Sequence, residues 1–260
     1  MEGWLVALLV VLVVALVLVL LFLIARRIET MLVFPVPRRV LSHTNNLVID
    51  NKKNVRYLMS EQDDRQRGII VFFHGNGCLA SDMSVVMSEA QKANMACALV
   101  EYPGYADSQT PSEAKILKAS LACFDHIKRK SKHLASKQVV VFGQSLGTCV
   151  ATYVASMRRV SKVVLVSCFP SIARVANLKA VEGLLANKFR AELWANKVTA
   201  PVLAVHAELD ALISKDVFDE QVANFVASPS IRQVIVKSQT HNSVLGSKDF
   251  WKVFHDFVGS

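Results

Sequence analysis

The stretch from Gln138 to Met157, Q-V-V-V-F-G-Q-S-L-G-T-C-V-A-T-Y-V-A-S-M, constrains the fold of this chain more than any other. Val139 to Phe142 is a β-branched and aromatic run of the length of one buried strand, and the stretch ends in an apolar-periodic run with the pattern of a helix. Between them lies Gly143-Gln144-Ser145-Leu146-Gly147, which follows the pattern G-x-S-x-G. A strand that reverses directly into a helix needs small residues on both sides of the turn, because a side chain there would strike the strand or the helix. The residue at the apex is driven into a strained backbone conformation with its hydroxyl outward. Ser145 is therefore a candidate nucleophile, weighed against the plainer reading that it merely occupies a β-to-α turn.

A second constraint lies at the N-terminus. Hydrophobic residues make up 52% of the 260 positions, and the excess is concentrated in Trp4 to Ala25, 22 positions without a charged or strongly polar residue. As a helix rising ~1.5 Å per residue, this run spans about 33 Å, enough for the hydrocarbon core of a bilayer. Met1-Glu2-Gly3 lacks the basic start of a secretory signal, and the run ends in Leu23-Ile24-Ala25-Arg26-Arg27 rather than in a small-residue cleavage site. An uncleaved single-pass anchor over residues 1–27 is expected, with a signal peptide as the competing reading. Pro35 and Pro37 oppose regular helix and suggest an extended linker over 28–45.

Charge supports one orientation. All 30 Lys and Arg follow the apolar run, and the net charge is +9. Arg26, Arg27, Arg38 and Arg39 just beyond the run place the following domain on the cytoplasmic side by the positive-inside tendency. An odd set of cysteines (Cys78, Cys97, Cys123, Cys149 and Cys168) inside apparent strands and helices, and the absence of an N-x-S/T acceptor, agree with that side. No nucleic-acid motif accompanies the basic charge. Attraction to anionic lipid headgroups is one account of it, and a merely basic solvated surface is the other.

From Asn46 onward, strand-like and helix-like segments alternate. Leu47–Asp50 and Val55–Met59 suggest a hairpin around Asn51 to Asn54. Gly68–Phe73, Cys97–Glu101, Val139–Phe142, Lys162–Ser167, Pro201–His206 and Ile231–Val236 read as strands. Helices are expected near Ser81–Ala93, Ser112–Lys130 with Ser112 as N-cap, Ser214–Val226 and Asp249–Val258. The pattern implies an α/β domain over 46–260, with a mostly parallel central sheet covered by helices on both faces.

In such sheets chemistry collects on loops at the carboxyl ends of the strands. In chain order these loops are His74-Gly75-Asn76-Gly77, Tyr102-Pro103-Gly104-Tyr105, the Ser145 turn, Ala207-Glu208-Leu209-Asp210, and Lys237 to Asn242 with His241. A serine, an acid and a histidine thus follow three strands of one predicted sheet, a more specific signal than any single motif. Asp210 is the expected acid and Glu208 its rival. His43, His126, His133 and His255 are expected at the surface, and His74 and His206 as loop supports through hydrogen bonds. No cysteine pair has zinc-ligand spacing and no phosphate-binding loop is present, so neither a metal nor another cofactor is implied.

These residues resemble the α/β-hydrolase fold from about Val33 to the C-terminus, and most nearly its membrane-anchored group that includes lipid hydrolases and protein depalmitoylases. That group shows an H-G-N segment, a Y-x-G-Y turn, the G-x-S-x-G elbow, an H-G-x-x-D loop and a late histidine, and all five places are occupied here. Two departures stand out: Ala207 replaces the usual glycine of the acid loop, and Gln239-Thr240 precedes His241 where a glycine is often found. The resemblance implies Ser145 as nucleophile, His241 as general base and acid, and Asp210 as the residue that orients His241. It also implies an oxyanion hole from the backbone N–H groups of Leu146 and Asn76. His74, Gly75, Tyr102, Tyr105 and Gln144 are candidate substrate-pocket residues, with plain packing as the competing and commoner role for Tyr102 and Tyr105. Residues 169–197 occupy the place of the family's cap, here a short one, with Ile172, Val175, Ala176, Val181, Leu184, Leu185 and Phe189 at roughly helical spacing. Such a lid could rest on the membrane and admit acyl chains, or simply face the core.

The expected activity is hydrolysis of acyl esters or thioesters beside a bilayer. The alternatives are a serine peptidase or aminopeptidase on the same fold, and a catalytically silent binding protein.

Overall fold

The computed structural model describes residues 2–36, 47–53, 55–107 and 109–260. Helix α1, Glu2–Val33, is exposed through Ala25 and is long and apolar enough to cross a membrane. It continues through the six residues from Ile28 to Val33, where an extended linker was expected. The physical stop is Pro35, since no helix breaker precedes it, and Thr30 Oγ1 donates to the Arg26 carbonyl at 2.9 Å within this last stretch. The rest of that linker, with Pro37, Arg38, Arg39 and His43, lies outside the described residues, as does Asn54 of the expected hairpin.

The domain that follows runs β1 Leu47–Asp50, β2 Val55–Met59, β3 Ile69–Phe73, α2 Ser84–Lys92, β4 Ala96–Val100, α3 Glu113–Lys130, α4 Lys132–Ala135, β5 Val139–Gln144, α5 Leu146–Met157 and β6 Lys162–Val166. Then come α6 Ile172–Val175, α7 Glu192–Ala195, β7 Val202–Ala207, α8 Lys215–Ala223, β8 Ile231–Val236 and α9 Lys248–Gly259. The strands form one sheet in the order β1-β2-β4-β3-β5-β6-β7-β8. β1, β2 and β4 pair antiparallel, and every other pairing is parallel.

Strand alternation divides the core between the two faces. Val71, Phe73, Val141, Val163 and Leu165 meet Ile116 and Phe124 of α3 and Val150 and Val154 of α5 on one face. Ile70, Phe72, Val140, Phe142 and Val164 meet Val86 and Ala90 of α2 and Phe250, Trp251 and Phe254 of α9 on the other. Both faces of β3 and β5 are buried, which is why their sequences are continuous apolar runs. Ser112 and Ser214 cap α3 and α8 by accepting from the Lys115 and Val217 amides, both at 3.4 Å.

Three local expectations change. The helix expected over Ser81–Ala93 is split, with a 3₁₀ turn at Ala80–Met83 leading into α2. The cap is not one apolar helix but α6, a 3₁₀ turn at Lys179–Leu184 and α7. Its apolar residues part company: Phe189 is buried, whereas Leu184 is 75% exposed. His126, expected at the surface, is buried on the inner face of α3 with its ring edge-on to Tyr57.

Candidate active site

The strand order changes direction at β3: the next strand in sequence, β4, lies on one side and β5 on the other. At such a point the loops leaving adjacent strands diverge and leave a crevice at the carboxyl edge. Phe73 pairs in register with Gly143, so the His74 loop and the Ser145 turn leave the sheet side by side. A Cβ added to Gly75 would lie 3.3 Å from Ser145 Cβ, which measures how close the two loops come.

Ser145 has φ 51° and ψ −121°, a conformation that L-residues rarely adopt and that costs about 1–3 kcal/mol. The turn is held by the Ser145 amide donating to the Val166 carbonyl at 2.9 Å and the Thr148 amide donating to the Ser145 carbonyl at 2.8 Å. Both flanking glycines are sterically required. A Cβ at Gly143 would meet the Gly147 carbonyl oxygen at 2.2 Å, and one at Gly147 would meet the Phe73 carbonyl oxygen at 2.0 Å. α5 starts at Leu146, whose amide lies in the first turn and has no partner within the helix.

β5, β6, β7 and β8 are consecutive in the sheet, so their trailing loops line up along one edge. The structure brings Ser145, His241 and Asp210 together there: His241 Nε2 lies 2.9 Å from Ser145 Oγ, and His241 Nδ1 lies 2.8 Å from Asp210 Oδ2. Asp210 Oδ1 accepts from the amides of Leu212 and Ile213 at 3.0 and 2.9 Å, and Oδ2 also accepts from Ser167 Oγ at 2.8 Å. Burial pushes this carboxyl up, but the bonds from His241, the Ile213 amide and Ser167 outweigh it and hold it down at about 2. The rival acid Glu208 is turned elsewhere, to Lys237 Nζ at 2.7 Å and the Ser238 amide at 2.9 Å. His206 does not support the loop by hydrogen bonding as expected. Its ring stacks on Phe218, and among the described residues Nδ1 has no hydrogen-bond partner.

On the other side of Ser145, the His74-Gly75-Asn76 loop rests on a buried polar network. His74 has an acceptor at each ring nitrogen: the Gly75 carbonyl 2.8 Å from Nδ1 and Glu101 Oε1 3.0 Å from Nε2. Glu101 Oε1 also accepts from the Tyr102 amide at 3.0 Å, and Oε2 from the Ala80 amide at 2.9 Å. Tyr102 Oη donates to the His74 carbonyl at 2.9 Å, and Tyr105 Oη donates to Asn76 Oδ1 at 2.5 Å. Burial pushes both phenols upward, so both remain protonated donors. His74 supports the loop through hydrogen bonds as expected, and Tyr102 and Tyr105 are buried packing behind it, so these three do not take the alternative place as pocket walls. Gln144 is also buried, at the end of β5.

Two residues with evident roles in this geometry, Ser167 and Glu101, were missed from sequence. Each directly follows a strand, β6 and β4 respectively, and that position was the available signal. Among the described residues, no three His, Cys, Asp or Glu groups converge as metal ligands. A surface depression of about 840 Å³ lies at the opposite end of the sheet between Lys128, Lys137, Arg158 and Lys197, and includes none of the groups above.

Comparison with known proteins agrees with this architecture. The chain is 26% identical over 180 residues to alpha/beta hydrolase domain-containing protein 17C of Xenopus tropicalis, covering 68% of this chain and 57% of that protein. It thus spans somewhat over half the length of that relative. It is 24% identical over 217 residues to the bem46 protein of Schizosaccharomyces pombe, covering 78% of this chain and 71% of that one. Among solved structures, the Pyrococcus furiosus esterase Pf2001 superposes with a TM-score of 0.67 at 17% identity, covering 86% of this chain and 94% of the esterase. The family profile described as the alpha/beta hydrolase fold matches residues 68–207, more than half of the chain, and the chain belongs to that family.

Proposed function

We propose that this protein is a membrane-anchored serine hydrolase that cleaves acyl esters or thioesters of lipids or acylated proteins. The observation that carries the reading is the unbroken line from Ser145 Oγ through His241 to Asp210, with both hydrogen bonds below 3.0 Å. Ser145 Oγ attacks the acyl carbonyl as His241 Nε2 takes its proton; a serine hydroxyl is a weak nucleophile without such a base. Asp210, ionised down to about 2, holds the proton on His241 Nδ1 and stabilises the imidazolium that forms. The tetrahedral oxyanion is received by the backbone N–H groups of Leu146 and Asn76, each worth roughly 3 kcal/mol in the transition state. His241 then protonates the leaving alcohol or thiol. Water, activated by the same histidine, releases the acid from the acyl-enzyme.

The length and apolar composition of α1 support a site that works beside a bilayer. The arginines that follow the apolar run favour a cytoplasmic catalytic domain, and protease protection of a C-terminal tag in sealed membranes tests that side. A fluorophosphonate probe tests the chemistry. Wild type is expected to label at one site per chain and Ser145→Ala not at all; equal labelling of the two defeats the reading. Comparing p-nitrophenyl esters, acyl thioesters and aminoacyl amides then tests the substrate class, and a predominance of amide turnover would move the protein to the peptidases.

A further inference from the structure

The end of α1 makes a contact that neither membrane attachment nor acyl transfer by itself requires. The helix runs past Arg26 and Arg27 to Val33, and Val33 and Phe34 are buried in the same apolar cluster as Tyr102, Tyr105 and Phe189. The Val33 carbonyl accepts a hydrogen bond from Asn76 Nδ2. Phe34 meets the Phe189 ring edge-on with centroids 6.0 Å apart, and a Cβ at Gly77 would lie 3.7 Å from the Pro35 carbonyl oxygen. One turn earlier, Glu29 Oε1 accepts from the amides of Ala186 and Asn187, both at 2.8 Å, while Arg26 holds the other oxygen at 3.0 Å. Asn187 is in turn tied to the start of α3, since its Oδ1 accepts from the Glu113 amide at 2.9 Å. The helix exit is latched to the cap at Glu29 and to the Asn76 loop at Val33.

What this does to Asn76 follows from peptide geometry. In a trans peptide, the carbonyl of residue 75 and the N–H of residue 76 point in opposite directions. Holding the Gly75 carbonyl on His74 Nδ1 therefore aims the Asn76 amide the other way. The Asn76 side chain is fixed at both ends, by Tyr105 Oη at Oδ1 and by the Val33 carbonyl at Nδ2. Of these three restraints, one on the Gly75–Asn76 peptide and two on the Asn76 side chain, two come from the catalytic domain and the third from the end of α1. A group that must meet a developing charge loses rate steeply when it is displaced by a fraction of an ångström.

We infer that the exit segment Glu29 to Pro35 is a positioning element of the site. By holding Asn76 through the Val33 carbonyl, it fixes the Asn76 amide opposite Ser145. Turnover then depends on docking of the helix exit, and not only on delivery of the enzyme to a membrane. The inference rests on the hydrolase reading above, with Asn76 as an oxyanion donor.

The test uses the full-length chain in detergent micelles with p-nitrophenyl acetate, a soluble substrate that needs no membrane. Fluorophosphonate titration gives the number of reactive serines, so that kcat is expressed per working site and unfolded chains drop out. Glu29→Ala and Phe34→Ala are each expected to lower kcat per titrated site about tenfold, with KM changed by less than about twofold and the pH profile unmoved. Glu29→Gln keeps an acceptor oxygen for the Ala186 and Asn187 amides and recovers most of the loss. Tyr105→Phe frees the other end of Asn76, and combining it with Glu29→Ala should cost less than the product of the single effects, because both act through one residue. Unchanged kcat per site in both Glu29→Ala and Phe34→Ala, a loss confined to KM, or strictly multiplicative effects would each overturn the inference. If wild type labels and Ser145→Ala does not, those results fall on the helix-exit role alone. If wild type fails to label, the hydrolase reading falls and the inference with it.

Discussion

Ser167 Oγ donates to Asp210 Oδ2 at 2.8 Å, and His241 Nδ1 meets that same oxygen at 2.8 Å. Ser167 is fully buried at φ 56°, held by its own amide donating to the Val205 carbonyl at 2.8 Å. The hydroxyl thus holds the very oxygen that His241 meets, and the orientation of His241 depends on a residue three hydrogen bonds away from Ser145.

Ser167→Ala removes a hydrogen bond to a charged acceptor, an interaction worth about 1.5–3 kcal/mol. With part of that loss appearing in the transition state, kcat is expected to fall about tenfold while KM is retained. Asp210→Asn should lower kcat on the order of 10⁴-fold by reversing the His241 tautomer. Steady-state kinetics on a soluble ester measures both, and full kcat in Ser167→Ala would contradict the role given to it.

Asp210 also sets a pH dependence of stability. Its carboxyl is held at about 2 in the folded protein against an ordinary 3.8. Because the folded value is the lower one, this contribution is complete above 3.8 and is lost as pH falls through about 2. At ~1.4 kcal/mol per pH unit it amounts to about 2 kcal/mol. Urea unfolding at pH 5 and at pH 2 should show wild type losing about that much more stability than Asp210→Asn. Parallel losses in the two proteins would count against the ionised, bonded state of Asp210.

The elbow offers a steric prediction. Gly147→Ala places a methyl against the backbone oxygen of Phe73, which no rotamer change relieves, and about 3 kcal/mol of destabilisation is expected. Gly183 in the cap has nothing within 4 Å of an added Cβ, so Gly183→Ala should be nearly neutral. Chemical denaturation of the pair provides the comparison, and a stable, active Gly147→Ala enzyme would refute the packing described for the turn.

These cases also mark what could be read from the sequence. Ser145, Asp210 and His241 were legible because each follows a strand whose apolar run is visible by itself. Ser167 was not, because a serine ending a strand acquires meaning only from the sheet order, which sets β6 between β5 and β7. Glu101 was read as the end of a strand, and its bonds to His74 and the Ala80 amide join segments that no local pattern connects. The exit of α1 was placed at Arg26 and Arg27 on hydropathy. Backbone hydrogen bonding does not stop where apolar composition stops, and the helix ends only as Pro35 approaches.

Glu101 is fully buried and carries the loop that presents Asn76. Glu101→Ala leaves the Tyr102 and Ala80 amides and His74 Nε2 without their acceptor. A loss of about 3–5 kcal/mol is expected, since each buried donor left unsatisfied costs roughly 1–3 kcal/mol. Thermal unfolding should report it directly, and an unaltered Tm would show that the network adds little to the fold.

The proposed mechanism requires that Ser145 carry an acyl group during turnover. Rapid acid quenching after mixing with a p-nitrophenyl ester, followed by intact-protein and peptide mass spectrometry, observes that adduct. The mass of one acyl group is expected on wild type, mapped to the peptide containing Ser145, and is expected to be absent from Ser145→Ala. Turnover of the ester with the acyl group on another residue, or an adduct that persists in Ser145→Ala, would contradict it.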